Sequence, residues 1–396
     1  MTVLVVGAGP AGAATALLLA RGGNDVTLVD REPTFERVFR GEGLMPLGLD
    51  ALHEIGLDVV HDDAVPGRPV RSWDIWIDGE ESFVVPEPLE ELGDRAPRVV
   101  SQPALLARLV ELAEGHPGFT FRPGVRCAAL LRDDEQRVVG ARLAGPDGVE
   151  DLATELVVGA DGRGSSIRTH AGLRLERSPE SYEVLWFKVS APPRLRDRCS
   201  FMICVRPGGH PAVCYVSWDG RLQYGLVMPS GGLRELDDRD WLIDALRSAP
   251  RWLAEHVVAH RDEIGRPTRL VVLVGRCPSW TDPGVLLLGD AAHPMSPVRA
   301  QGINLALRDA VVAAHPLRPV LAAGSGPAAL DAACHAVQAE REPEIVRAQA
   351  QQRREASGQP DARAGGWRFR LARRGARLLG RRRWARRAWL RRQHTL

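Results

Sequence analysis

Val3-Leu4-Val5-Val6-Gly7-Ala8-Gly9-Pro10-Ala11-Gly12 opens the chain, and its reading decides the fold. The apolar run Thr2–Val6 breaks into a glycine turn, and an apolar helical segment, Ala11–Ala20, follows it. A short apolar run bounded in this way reads as a strand buried on both faces, as in a parallel sheet. Gly22 and Gly23 end the helix, Val26–Val29 reads as a second buried strand, and Asp30 closes it. Together they make one β-α-β unit of about 30 residues. Gly7 permits the tight turn, Gly9 lets the backbone approach a pyrophosphate, and Gly12 lets helix and strand pack closely. The helix N-terminus offers N–H groups and a positive dipole end to phosphate. Asp30 follows Gly12 by eighteen residues, where a carboxylate accepts ribose hydroxyls. This spacing points to a dinucleotide and leaves NAD and FAD both open.

Outward from that unit, Leu105–Ala113 has helical spacing. Phe119–Arg122, Arg126–Leu131, Val138–Leu143 and Leu156–Val158 read as strands between Gly, Pro and Asp turns. Val184–Val189, Phe201–Val205, Ala212–Trp218 and Gln223–Val227 predict antiparallel sheet. Val285–Leu288 is another short buried strand, ending in Gly289-Asp290, and Gln301–Ala314 reads as a helix. Parallel-type elements therefore stand at both ends of an α/β chain, with antiparallel sheet between them. The expected division is a nucleotide domain from 1–70, 98–175 and 265–345, a substrate-binding β-sheet domain from 71–97 and 176–264, and a basic helical tail over 346–396. Ser357–Gly366 is polar and rich in Gly, a linker composition.

Composition narrows the class. The chain has 396 residues, enough for one large or two intimate domains with a sizeable core. No apolar run reaches the roughly 18 residues that a membrane helix needs. The N-terminus has no basic region before its apolar run, so no signal peptide is expected. Cys127, Cys199, Cys204, Cys214, Cys277 and Cys334 form no CxxC pair and have no His cluster beside them. They read as reduced, buried thiols of a cytoplasmic protein with no metal site. The net charge of +2 hides an asymmetry: residues 351–396 hold fifteen Arg and two acidic residues, net +13, against −11 for the rest. An acidic body carries a basic tail.

Two further segments bear on chemistry. One is Val158-Gly159-Ala160-Asp161-Gly162-Arg163-Gly164-Ser165-Ser166-Ile167-Arg168; the other is Gly289-Asp290-Ala291-Ala292-His293, followed by Pro297, Gly302 and Asn304. With the glycine turn, they resemble the three fingerprints of FAD-dependent monooxygenases of the para-hydroxybenzoate hydroxylase type (group A flavoprotein monooxygenases). Order and spacing match over most of residues 1–310, and the tail beyond about 345 lies outside the resemblance. The resemblance implies a Rossmann-like, glutathione-reductase-type FAD domain interleaved with the sheet domain. It implies that Gly7, Gly9, Ala11 and Gly12 cradle the cofactor and that Asp30 and Arg31 sit at the adenosine ribose. It places Arg40 along the pyrophosphate, Gln102 at the ribityl chain, Val125 against the adenine and Asp161 at FAD and NAD(P)H. Gly289 and Asp290 would meet a ribityl hydroxyl, and His293, Pro297, Ala300, Gly302 and Asn304 would follow along the flavin. Ala300 departs from the family pattern, which usually has Gly there. The implied reaction is oxygenation: NAD(P)H reduces FAD, and one atom of O2 passes through a flavin C4a-hydroperoxide to an aromatic, heteroaromatic or polyketide-like molecule. No second dinucleotide motif is present, so NAD(P)H would bind transiently.

Other residues have weaker claims. His293 is a proton shuttle or, three times as readily, a structural hydrogen-bonding His. Lys188, the chain's one lysine, and Tyr215 lie on sheet strands and either line the substrate pocket or serve solvent face and core. Trp73 and Trp76 fall on opposite faces of one strand, so at most one lines a pocket. Trp367, Leu371, Leu378, Ala385 and Trp389 fall near one helical face among arginines, which fits an interfacial helix at the inner membrane face. The equal alternative is a helix packed on the acidic body; nucleic acid is disfavoured because no nucleic-acid fold accompanies the charge. A monomer or homodimer is expected. Three competing functions share the FAD frame: a flavin-dependent reductase of prenyl or other unsaturated substrates, a halogenase, and a non-catalytic binding protein. The halogenase reading lacks its early active-site lysine and its WxWxIP-type segment.

Overall fold

The computed structural model describes residues 1–36, 41–179, 182–196, 198–231, 241–357, 371, 374–375, 378 and 382–394. Its contacts divide the chain into two units. One comprises Met1–Pro66, Gln102–Ser178 and Leu273–Gln349; the other comprises Gly67–Ser101, Pro179–Val272 and Ala350–Leu396. The described residues after Gln349 group with the second unit.

The first unit is built on a six-stranded sheet in the order Thr281–Asp282, Val285–Leu287, Leu156–Gly159, Thr2–Val6, Asp25–Asp30, Phe119–Pro123. All pairs are parallel except the short Thr281–Asp282 edge. The central strands are continuously apolar because both faces are covered: Val3–Val6, Leu156–Gly159 and Val285–Leu287 are buried throughout. Helix Pro10–Arg21 is buried from Ala11 to Ala20 and packs between the helices Gln102–Glu114 and Gln301–Ala323. Its small residues, Ala and Gly, allow that close approach. Pro10 starts it at a position where a missing N–H is harmless. A three-stranded antiparallel sheet, Arg126–Arg132, Val138–Gly145 and Gly148–Ala153, completes the β-structure that follows the Phe119–Pro123 strand.

The second unit carries a seven-stranded sheet in the order Thr268–Val272, Tyr182–Ser190, Arg221–Pro229, Ala212–Val216, Ser200–Val205, Ser72–Ile77, Glu80–Pro86. It is antiparallel but for one pair: Ser200–Val205 runs parallel to Ser72–Ile77. Strand alternation sorts its two faces. Leu185, Phe187, Met202, Cys204, Cys214 and Tyr224 form one face and are buried beneath helices Trp241–Leu246 and Arg251–Ala259. Trp73, Phe201 and Tyr215 lie on the other. Trp76 meets Trp252 on the helix side, so Trp73 and Trp76 do point to opposite faces.

The C-terminal helix Arg383–His394 belongs to this second unit. Trp389 packs edge-on against Trp73 and Phe83, at centroid distances of 5.3 and 6.2 Å. Leu390 and Gln393 are buried beside it, and His394 pairs with the buried Glu87 at 3.0 Å. Trp389 therefore packs inward, on its own unit. Leu371, Leu378 and Trp384 are exposed, and Trp367 lies outside the described residues. The single apolar stripe expected from the sequence is thus split, because the helix spends one end of it on the sheet.

Candidate flavin site

Three neighbouring parallel strands end together. Val6 pairs with Gly159, and Gly159 with Leu287, so the glycine turn, Ala160-Asp161 and Gly289-Asp290 leave the sheet side by side. That edge is where open α/β sheets bind ligands. The packing there is tight. A Cβ on Gly7 would fall 2.4 Å from the Ala160 carbonyl oxygen and 2.7 Å from the Asp161 Cα, and Gly7 holds φ +103°, a left-handed conformation that favours glycine. Gly289 sits between the first turn of one helix and the second turn of another: its Cβ would lie 3.1 Å from Ala11 and 3.7 Å from Ala306. Arg168 straps the segments together, donating to the carbonyls of Ala291 (2.8 Å) and Arg163 (2.9 Å).

Whether these residues fit a dinucleotide is decided by what the cradle leaves open. A Cβ on Gly9 would meet nothing within 4 Å, and the same holds for Gly302. Both stand at helix N-termini, whose first N–H groups have no intrahelical acceptor. Ala11 is buried behind Gly9. Gln301, also at the start of the long helix and 3% exposed, has an Oε1 that accepts no hydrogen bond from the described residues. Two helix dipole ends, two open glycine faces and one buried acceptor fit an anionic, donor-bearing dinucleotide such as FAD.

The remaining site residues divide by what their side chains already hold. Asp30 is buried and accepts from the amides of Ala8 (2.7 Å) and Glu32 (2.9 Å), so its carboxylate also closes the glycine turn. Arg31 is exposed and paired with Glu32. Val125 donates its amide to the Asp30 carbonyl (2.9 Å), which sets it beside the end of the Asp25–Asp30 strand. Gln102 is buried at the head of helix Gln102–Glu114. Asp161 caps helix Ser166–His170, accepting from the Ser166 amide (2.6 Å), the Ile167 amide (3.2 Å) and the hydroxyls of Ser165 and Ser166. Asn304 is fully buried; it accepts from the Met45 amide (2.8 Å) and donates to the carbonyls of Gly43 and Ala300. Asp161 and Asn304 thus shape the cradle through backbone. Pro297 begins a short turn in which Arg299 and Ala300 hold φ +69° and +52°. Asp290 is half-buried. Arg40 lies outside the described residues.

Behind the Gly289-Asp290 turn lies a buried ionic cluster that the motifs do not announce. His293, 1% exposed, bonds Asp309 through Nε2 at 2.7 Å and tilts against Trp280 at 4.8 Å. The bond to Asp309 gives His293 a structural hydrogen-bonding role. Asp309 also accepts from the Gly289 amide (2.8 Å) and from Arg341 Nε (2.7 Å), and Arg341 pairs with Glu344. Burial alone would lift the Asp309 pKa; its pairs with His293 and Arg341 outweigh that and hold the carboxyl down at about 2. Asp309 carries a hint in sequence as an acidic residue in the apolar run Leu305–Leu317; Arg341, between Glu340 and Glu342, carries none.

In the other unit, Trp73 stacks on Phe201 at 4.9 Å, and Phe201 meets Tyr215 at 4.7 Å, an aromatic row along one sheet face. Tyr215 is 4% exposed. Lys188, across the sheet from Gln223, donates to Ser217 (2.8 Å) and pairs with Asp219 (2.9 Å), so its charge is balanced locally.

The family model described as "FAD binding domain" matches residues 1–348. The 6-methylpretetramide 4-monooxygenase of Streptomyces rimosus is 34% identical over 319 residues, covering 78% of this chain and 73% of that protein. Among solved structures, p-nitrophenol 4-monooxygenase from Pseudomonas putida superposes with TM-score 0.79 at 18% identity, over 100% of this chain and 99% of its own. Aklavinone-11 hydroxylase, solved with FAD and aklavinone, superposes with TM-score 0.70 at 24% identity, over 89% of this chain and 67% of its own. The two structures speak to fold; the family match and the 34% relative speak to kinship. With its three fingerprints converged on one sheet edge, the chain belongs to the FAD-dependent monooxygenases of the aromatic-hydroxylase type.

Proposed function

We propose that this enzyme hydroxylates or epoxidises a planar aromatic or polyketide-like small molecule, with NAD(P)H as reductant and O2 as oxidant. The observation that carries this reading is the meeting of Gly7, Asp161 and Gly289 at one strand edge beneath two open helix N-termini. FAD, when bound, supplies the electron transfer and the activation of oxygen. The chain's part is to hold it. Gly9 and the first turn of helix Pro10–Arg21 would take the pyrophosphate; Asp30, Arg31 and Val125 the adenosine; Gln102 and Asp290 the ribityl hydroxyls. The N-terminus of helix Gln301–Ala323, with Pro297, Ala300 and Gly302 before it, would favour negative charge on the reduced ring. The similarity to a 6-methylpretetramide monooxygenase supports a flat, polycyclic substrate.

The experiment is direct. Purified protein should be yellow with one FAD per chain. Incubation with NADH or NADPH and a panel that includes 6-methylpretetramide and aklavinone should give a product heavier by one oxygen. Anaerobic saturation of a double bond, or NAD(P)H oxidation by no member of the panel, would remove the oxygenase reading. Asp290→Ala should lower FAD affinity about tenfold, the size of one lost buried hydrogen bond to the cofactor; unchanged affinity contradicts the role given to Asp290.

The tail supports a second element of this reading, a peripheral attachment to anionic membrane. No described helix is long and apolar enough to cross a bilayer. On helix Arg383–His394 the face opposite Trp389 carries exposed Arg383, Trp384 and Arg387. An exposed Trp flanked by arginines suits the headgroup layer.

A further inference from the structure

The Asp309 cluster serves none of the roles assigned so far, and it touches the flavin turn from behind. Gly289 holds φ +59° just after the strand Val285–Leu287 ends, and the chain enters a short turn, Gly289–Ala291, that carries Asp290. The Gly289 amide faces inward, away from any ladder partner, and its acceptor is Asp309 Oδ2. The same oxygen receives His293 Nε2 four residues further on. One carboxylate oxygen thus clamps both ends of the segment Gly289–His293, with Asp290 between them. The second oxygen is held by Arg341 from helix Pro327–Ser357, and Arg341 is in turn braced by Glu344 on its own helix. Arg341 and Asp309 are both fully buried, and a buried carboxylate keeps its place only while it is paired.

We propose that Asp309 is a positioning residue for FAD: it fixes the Gly289-Asp290 turn so that Asp290 presents its carboxylate to the cofactor, and Arg341 holds Asp309 in that pose. The proposal rests on the reading of Asp290 given above. It makes the ionic cluster a part of cofactor affinity and not only of fold stability.

A double-mutant cycle tests it, in the full-length chain freed of flavin, with FAD binding read by quenching of its fluorescence and folding read by far-UV circular dichroism. Asp309→Leu combined with Arg341→Met removes the acceptor and its counter-charge together, which spares the fold an unpaired buried ion. Asp309→Asn combined with Arg341→Met restores one acceptor oxygen toward Gly289. The leucine pair should bind FAD about tenfold more weakly, and the asparagine pair within about threefold of the unmodified chain. Adding Asp290→Ala to the leucine pair should cause little further loss, because residues acting through one contact are not additive. A leucine pair that is folded and binds FAD normally, while Asp290→Ala binds weakly, overturns the proposal and leaves Asp290's role standing. Additive losses overturn it as well, since they mark a general loss of stability. Normal binding by Asp290→Ala alone removes the reading on which the proposal rests, and the proposal with it. If the leucine pair does not fold, Asp309→Asn with Arg341 retained decides: Gly289 and Arg341 approach different oxygens of Asp309, and an amide keeps an acceptor toward only one of them. Weakening of about fivefold or more is then expected, and an unchanged constant overturns the proposal.

Discussion

Two residues near the flavin loop show how single side chains set the energetics of the site. Ala300 holds φ +52° and ψ +35°, where an L-residue is disfavoured by roughly 1–2 kcal/mol and glycine is not. Ala300→Gly should therefore stabilise the chain in urea unfolding by up to about 1 kcal/mol, after the added unfolded-state entropy is subtracted. Ala300→Val should destabilise it, because a β-branched residue in that region is an outlier. If glycine lowers the midpoint, Ala300 is not left-handed in solution. Asp309 sets a pH dependence. Its folded pKa is depressed to about 2, below the ordinary carboxylate value, so its contribution is fully present above about pH 4 and is lost as pH falls through 2. The unmodified chain should lose on the order of 2 kcal/mol over that window relative to Asp309→Asn/Arg341→Met, which lacks the titrating group. Parallel stability curves for the two proteins below pH 4 would contradict the ion pairing. Arg341→Met alone should be worse than the pair, by roughly 3–5 kcal/mol, because it strands a buried carboxylate.

Elements differ in how openly the sequence declares them. The strand–glycine–helix unit was legible because every requirement is local: Gly7, Gly9 and Gly12 act within a few residues, and buried parallel strands are continuously apolar. The strands of the second sheet were legible from alternation, but the parallel pairing of Ser200–Val205 with Ser72–Ile77 was not, since 128 residues separate Ser72 from its partner Ser200. The pairing of Asp309 with Arg341 escaped for a related reason: 32 residues separate them on two successive helices, and Asp309's place in an apolar run does not say which cation meets it, while Arg341 lies among charged neighbours. Gly225 belongs to the same kind of fact. Its Cβ would fall 2.4 Å from the ring of Trp186, its cross-strand partner, so the strand needs glycine for an aromatic neighbour and not for a turn. Gly225→Ala should destabilise by about 1–3 kcal/mol through overpacking, measured by denaturant unfolding. A neutral effect would mean that Trp186 swings away freely. The C-terminal helix was legible as amphipathic, but the direction of its face was not, because Trp389 and Trp384 are equally apolar in sequence. Its aromatic contacts with Trp73 and Phe83 choose the inward one.

At the scale of the molecule, the basic tail sets the sign of the chain's net charge. Residues 358–396 hold thirteen arginines and one aspartate, so without them the net charge of +2 becomes −10. Part of the tail is also structural, for Trp389 covers Trp73 and Phe83, and His394 pairs with a buried Glu87. Deleting the whole tail therefore confounds two effects: lost attraction to anionic surfaces and exposed aromatic sheet. Point variants separate them. Arg383→Gln with Arg387→Gln removes charge from the exposed side and leaves Trp389 seated. It should keep thermal stability and FAD content while weakening association with phosphatidylserine-containing vesicles, by about 1 kcal/mol per arginine. Trp389→Ala should do the reverse: vesicle binding kept, and the tail cut faster by trypsin as the helix loses its anchor. Trp384→Ala should weaken vesicle binding without changing the cleavage rate. Equal vesicle binding by the Arg383/Arg387 variant and the unmodified chain would leave the tail as a packing element alone, its arginines solvating a helix that the aromatic patch has already fixed.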